Sequence, residues 1–399
     1  VYANQVGSGE CVSFEGASRV YDNDGNLIAM AKSYKEQFFI VNPYKSLGKI
    51  YPLPKGLEKT LNSQKAFTLD HEPDLERTYL TIVQSIRDYF KKTGFKRAVL
   101  GLSGGLDSTV CAALLADALG AENVLGISMP SKITSAESKN DARELAENLG
   151  INFAEVSIKD MYEATRTKFD EVFANVDKTL NCRYKECFTN DNIQARSRAL
   201  ILWGIANEYQ ATLPIATSDK SELYMGYATI NGDMSGGFAP IADVCKTKLF
   251  ALARWMNENR EQKNAIPEAI IAKRPGAELA INPKTNKPLL AEEALMPYEF
   301  LDEVIWRVEN LHQSVGDMID SEFLYETKEK INRDQKMQWL EKFFRRMSTS
   351  LYKWTIMPPS PVVDARSINK IEYRHPVIAS KINFKKTSLN EKIEMLKNT

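Results

Sequence analysis

The stretch Ala98-Val99-Leu100-Gly101-Leu102-Ser103-Gly104-Gly105-Leu106-Asp107-Ser108-Thr109-Val110-Cys111-Ala112-Ala113-Leu114-Leu115 decides the fold. Its first five residues are apolar and read as a buried strand, the glycine pair as a tight turn, and the remainder as a helix. A strand–turn–helix of this kind gathers free backbone N–H groups and a helix N-terminus around one point, which favours an anion such as a pyrophosphate. Gly104 and Gly105 allow close approach of the backbone, and the hydroxyls of Ser103 and Ser108 add donors. Asp107 fits a phosphate cradle when a divalent cation such as Mg²⁺ lies between its carboxylate and the phosphates. The chain has neither a Walker loop nor a dinucleotide-type Gly-x-Gly-x-x-Gly after a strand.

Outward from this stretch, helix and strand patterns alternate. Helices are expected over 75–93, 108–120, 135–150, 159–173 and 190–209, and strands over 98–102, 123–129, 153–158 and 213–216. Thr134-Ser135-Ala136-Glu137 reads as a capping box. The alternation predicts an α/β fold with a doubly wound parallel sheet, whose ligand binds at the carboxyl ends of the strands. Further helices are expected over 246–259, 298–320 and 334–347, with a loop-rich, proline-punctuated segment over 264–298.

Residues 1–58 read differently. Asp24-Gly25 sits between two apolar runs and predicts a hairpin, and Phe38-Phe39-Ile40-Val41 a further strand. Pro52, Pro54 and Pro73 mark the following segment as a connection. The expected organisation is a small β-rich unit over 1–58, a linker over 59–74, the α/β domain over 75–347 and an extended arm over 348–399.

Lysine plus arginine equal aspartate plus glutamate at 52 each, so net charge gives no general attraction to nucleic acid or to an anionic membrane. No apolar run approaches the length of a membrane span, and no signal peptide is visible. The 5 cysteines are odd in number and irregular in spacing, which fits reduced thiols and a cytoplasmic setting. Cys182 and Cys187 have no second pair or nearby histidine to complete a zinc site.

Thr217-Ser218-Asp219-Lys220-Ser221-Glu222-Leu223 follows the 213–216 strand and so lies at the same sheet edge as the Ser103 loop. Asp107 and Glu222 together would supply two hard oxygen ligands for Mg²⁺, although Glu222 alone reads equally well as a helix-capping acid. Lys246 opens a helix after the glycine-rich loop 231–237 and could hold phosphates or steady developing charge. Asn192 and Arg196 share one face of the 190–209 helix, where Arg196 and Arg198 could clamp a carboxylate or phosphate or form surface ion pairs.

Ser103-Gly104-Gly105-Leu106-Asp107-Ser108 resembles the loop of the ATP pyrophosphatase class. Together with Asn192-Ile193-Gln194-Ala195-Arg196-Ser197-Arg198, Thr217–Leu223, Gly226-Tyr227-Ala228-Thr229, Gly232-Asp233, Lys246-Thr247 and Arg274-Pro275-Gly276-Ala277-Glu278-Leu279, it resembles the NAD synthetases over about residues 75–376. The resemblance implies ATP-dependent amidation of deamido-NAD through an adenylated intermediate, with release of AMP and pyrophosphate. It implies ATP contacts from Ser103, Gly104, Gly105, Asp107, Ser108 and Thr217, and Mg²⁺ ligation by Asp107 and Glu222. It implies substrate contacts from Asn192, Arg196, Glu222, Asp233 and Lys246, catalytic roles for Asp107, Asp233 and Lys246, and at least a homodimer.

The first 58 residues, through Asn4-Gln5-Val6-Gly7 and Phe14-Glu15-Gly16-Ala17-Ser18, resemble the end of a nitrilase-like glutaminase domain. The catalytic Glu, Lys and Cys of such a domain lie upstream of this region, and Cys11 does not occupy the nucleophile's place. The expectation is a C-terminal part of a longer, glutamine-using protein, itself dependent on ammonia.

Overall fold

The computed structural model of the chain describes residues 1–9, 11–37, 74–176, 188–260, 262–281, 288–313, 315–364 and 366–368. The expected strand at 38–41, nearly all of the linker, Cys182, Cys187 and the end of the arm lie outside the described residues.

Two antiparallel hairpins come first: β1 (Val6–Gly9) with β2 (Val12–Glu15), and β3 (Arg19–Tyr21) with β4 (Leu27–Met30). The β3–β4 turn is held by the Asp22 carboxylate, which accepts from the Asp24 and Asn26 amides at 2.9 and 2.8 Å. Helix α1 (Asp74–Thr93) packs on β1, and its Asp88 accepts the Ser8 amide at 2.6 Å.

A four-stranded parallel sheet follows in the order β7-β6-β5-β8, from β5 (Arg97–Gly101), β6 (Val124–Ser128), β7 (Asn152–Glu155) and β8 (Thr212–Pro214). Between them run α2 (Leu106–Leu119), α3 (Ala136–Leu149), α4 (Lys159–Val176) and α5 (Thr189–Glu208). The chain winds outward from β5 to β7, then returns to place β8 on the other side of β5. The carboxyl ends of β5 and β8 therefore flank a topological switch point, where open α/β sheets form their ligand crevice.

Side-chain alternation assigns the two faces. Ala98 and Leu100 join Ile82, Ile86, Leu114 and Leu252 in one core, while Val99 turns to Ile127, Ile158 and Leu202 in another. Helix α2 is apolar all round because it is wrapped on every side, by α1, by the sheet and by α7 (Lys246–Asn259).

A third apolar cluster builds the wall beside β8. It joins α6 (Lys220–Tyr224), α10 (Tyr298–Trp306) and α12 (Arg333–Trp354), with Tyr224, Phe300, Leu301 and Phe343 fully buried. Each such side chain contributes about 1.5–3 kcal/mol of burial. Helix α12 continues past 347 into the expected arm because Leu351 and Trp354 extend its apolar stripe, the Trp354 indole donating to the Leu223 carbonyl at 3.0 Å.

The expected 298–320 helix is broken. After α10 the chain makes a π turn at Arg307–Leu311, and His312 takes a left-handed conformation (φ 50°) before α11 (Val315–Asp320). The π turn carries Glu309 inward to a buried lysine, a contact that overrides the regular helical pattern. Within the loop-rich 264–298 segment lie α8 (Glu268–Ala272), a hairpin of β9 (Gly276–Ile281) and β10 (Pro288–Leu290), and α9 (Ala291–Ala294). The cap of α3 is Ser135, whose hydroxyl accepts the Ser138 amide at 3.1 Å, one residue later than the expected Thr134 cap.

Candidate functional site

The Ser103 loop is tied by its own hydroxyls. Ser108 Oγ donates to the Gly105 carbonyl at 3.1 Å and lies 3.2 Å from Ser103 Oγ, which accepts the Gly105 amide at 3.2 Å. Gly104 holds φ +75°, and a Cβ there would meet the Ser138 carbonyl oxygen at 2.3 Å. Gly105 caps α2 without any side-chain hydrogen bond, so the first amides of α2 remain available to a ligand.

Helix α6 opens beside this loop. Asp219 caps it, its Oδ1 accepting the Glu222 amide at 2.9 Å, and Glu222 projects from the first turn. Lys246, first residue of α7, reaches back across the switch point. Its Nζ lies 2.7 Å from Asp107 Oδ1, 2.6 Å from Asp219 Oδ2 and 3.1 Å from Glu222 Oε1. The three carboxylates offer oxygens within 4.8 Å of one another. These hard, anionic donors fit Mg²⁺, and one ammonium cannot balance three carboxylates. Burial pushes the Asp219 carboxyl up to about 6 against the pull of Lys246, and raises Glu222 well above the usual range for the same reason. Burial alone would lower the Lys246 ammonium, yet Asp107, Asp219 and Glu222 hold it well above its ordinary value.

Lys246 is itself anchored. Its backbone amide donates to Ser221 Oγ at 2.9 Å, Ser221 bonds Asp302 Oδ1 at 2.5 Å, and Asp302 Oδ2 accepts the Thr247 amide at 2.8 Å. A second network forms the far wall: Thr229 Oγ1 bonds Asn192 Oδ1 at 2.8 Å, and Asp233 Oδ1 accepts the Thr229 amide at 2.6 Å.

Ser103, Gly104, Gly105, Asp107, Ser108, Asn192, Thr217, Glu222, Asp233 and Lys246 all line one cavity of about 2110 Å³. That is at least about twice the upper range for a drug-sized ligand and offers room for two nucleotide-sized molecules. Arg196 is set apart: its side chain is exposed, Nε donates to the Ile230 carbonyl at 3.1 Å, and the cavity is lined instead by Arg198 of the same helix. Asp219 was within reach of sequence reading, since it belongs to the same seven-residue segment as Glu222, but a helix-capping aspartate gives no separate signal. The cations Lys342, Arg345 and Lys353 of α12 also line the cavity, more than a hundred residues from Lys220 in sequence.

The model of the NAD synthase family matches residues 78–347. A glutamine-dependent NAD(+) synthetase of Aquifex aeolicus is 35% identical over 94% of this chain and 64% of its own length. One from Synechocystis is 37% identical over 81% of this chain and 52% of its own length. The chain thus spans roughly half to two thirds of these relatives' length. Among solved structures, a glutamine-dependent NAD+ synthetase from Acinetobacter baumannii in complex with ADP aligns at TM-score 0.56 and 28% identity, over 94% of this chain and 61% of that one. One from Cytophaga hutchinsonii shares the fold at TM-score 0.72 and 23% identity, over 99% and 64%. On the family match and the switch-point geometry together, the chain belongs to the NAD synthase family.

Proposed function

We propose that this chain catalyses ATP-dependent amidation of deamido-NAD to NAD, releasing AMP and pyrophosphate, with ammonia as its direct nitrogen donor. The observation that carries this reading is the meeting of Asp107, Asp219, Glu222 and Lys246 under the open N-terminus of α2, in a cavity with room for both nucleotides. A carboxylate is a poor electrophile, and its adenylation gives ammonia a good leaving group to displace. Ser103, Gly104, Gly105, Ser108 and Thr217 cradle the ATP phosphates through amides and hydroxyls. Asp107, Asp219 and Glu222 hold Mg²⁺, which when bound supplies charge neutralisation at the phosphates. Lys246 steadies negative charge at the α-phosphate of the transferred adenylyl group and on the departing pyrophosphate. Asn192, Asp233 and Arg198 orient deamido-NAD from the opposite wall.

Glutamine serves as donor in the presumed full-length protein, a reading supported by relatives named glutamine-dependent NAD(+) synthetase, of whose length this chain spans roughly half to two thirds. The protein acts in the cytoplasm, with a homodimer as its minimal unit. Among the described residues no helix is long and apolar enough to cross a membrane.

The test is NAD formation from deamido-NAD, ATP and Mg²⁺, with ammonium in one arm and glutamine in the other, and xanthosine monophosphate replacing deamido-NAD as a control. NAD with ammonium alone is expected. NAD in both arms would overturn the ammonia-only reading, and amidation of the control nucleotide instead would overturn the substrate. Light scattering at assay concentration should give at least twice the 45.1 kDa chain mass.

A further inference from the structure

Lys220 is buried one residue from Asp219, and its ammonium turns away from the cavity. Its Nζ lies 2.8 Å from Glu309 Oε2, 3.2 Å from Asp243 Oδ1 and 3.3 Å from Asp364 Oδ2, and donates to the Arg366 carbonyl at 2.8 Å. Tyr224 bonds the other Glu309 oxygen at 2.6 Å. Lys220, Asp243 and Glu309 are almost wholly shielded from solvent, and none of these groups lines the cavity.

Such a cluster is a poor way to stabilise a fold, because well-packed apolar residues of the same volume commonly do as well or better. Its strength is direction. Helix α6 is only five residues long and cannot fix its own orientation. It presents Asp219 and Glu222 to one side and Lys220 to the other. The three carboxylates come to Lys220 from separate places: the loop before α7, the π turn after α10, and the C-terminal segment. That segment is held along its length. Pro359 accepts the Ala239 amide at 2.9 Å, Val362 donates to the Cys11 carbonyl at 2.9 Å, and Asp243 Oδ2 accepts the amides of Val363 and Asp364 at 2.8 and 3.1 Å.

We propose that Lys220 is a positioning residue, through which the C-terminal segment 359–364 sets the placement of Asp219 and Glu222 for nucleotidyl transfer. The inference rests on the function proposed above, and Lys220 acts without touching either nucleotide.

The experiment compares the full chain with Asp364→Asn and Asp364→Glu, by amide hydrogen exchange and by steady-state kinetics. Asp364 is the most exposed of the three carboxylates, so its substitution perturbs the core least. Asp364→Asn should speed exchange of the 220–227 amides about 10-fold while leaving those of α2 unchanged. It should lower kcat about 10-fold with KM for ATP within about threefold, and Asp364→Glu should restore most of kcat. Should Asp364→Asn unfold, the charge-depleted triple variant Lys220→Met/Asp243→Asn/Glu309→Gln keeps the volumes and is expected to fold yet show the same loss of kcat. Unchanged exchange, unchanged kcat, or a fall in kcat that merely tracks the folded fraction would overturn the proposal. If the parent chain makes no amidated product, the function reading fails, and the exchange measurement still decides whether segment and helix are tied.

Discussion

Lys246 Nζ stands 2.6 Å from Asp219 Oδ2, with both side chains withdrawn from solvent. The pair joins the first residue of α7 to the cap of α6 and draws Asp107 and Glu222 around a single ammonium. The acidic side of the site is therefore assembled around a cation belonging to the chain itself.

Replacing that cation exposes what it offsets. Lys246→Met leaves three carboxylates without a counter-charge, and removing one partner of a buried ion pair costs about 3–5 kcal/mol. The Asp219 and Glu222 carboxyls are already raised by burial and rise further in the variant, so the folded state takes up protons as pH falls and recovers stability. Urea unfolding should show a larger deficit at about pH 7.5 than at about pH 5, with turnover reduced at least about 100-fold.

Asp107→Ala acts in the opposite sense on charge and the same sense on activity. It relieves crowding between Asp107 and Asp219, so unfolding stability should hold within about 1 kcal/mol. Turnover should vanish and Mg²⁺-ATP binding, followed by calorimetry, should weaken at least about 10-fold. Activity within a few-fold of the parent would rule out the metal role proposed for Asp107.

Gly104→Ala tests the cradle. The added methyl would stand 2.3 Å from a backbone oxygen of Ser138 at a φ of +75°, so either the loop or α3 must shift. A loss of about 1–3 kcal/mol in stability is expected, and KM for ATP should rise more than KM for deamido-NAD.

Asp243 gives a pH signature. Burial raises its carboxyl from 3.8 to about 6, although Lys220 pulls it down. The folded chain then holds a proton that the unfolded chain has lost, so this group's contribution to stability falls as pH climbs from about 4 to about 6 and is flat above. Asp243→Asn should remove that slope, of the order of 2–3 kcal/mol, from the urea midpoints measured across this window.

Much of this was legible in the chain. The strands at β5, β6 and β8 and the helices between them follow from apolar runs punctuated by glycine, and the two loops at the switch point follow from that alternation. What local pattern could not reach depends on contacts far apart in sequence. Glu309 bends α10 into a π turn to meet Lys220, 89 positions away, and Trp354 prolongs α12 to reach the Leu223 carbonyl, 131 away. Arg196 and Arg198 have the same local appearance, and only the packing of α5 on the sheet edge decides that Arg198 faces the cavity. Lys220 reads in sequence as one more polar residue of a loop, because burial of a lysine is decided by partners contributed from 243, 309 and 364.

An acidic site that carries its own counter-ion need not borrow one to fold. Because Lys246 already neutralises part of the acidic cluster, a chelator should leave the folded chain intact while silencing it, and loading the metal becomes a substitution at an occupied place rather than the filling of a bare anionic hole. On the proposed function, affinity for the free ion would be set low by competition and would rise when the nucleotide brought its own negative charge, so that metal and ATP would enter together, as one complex.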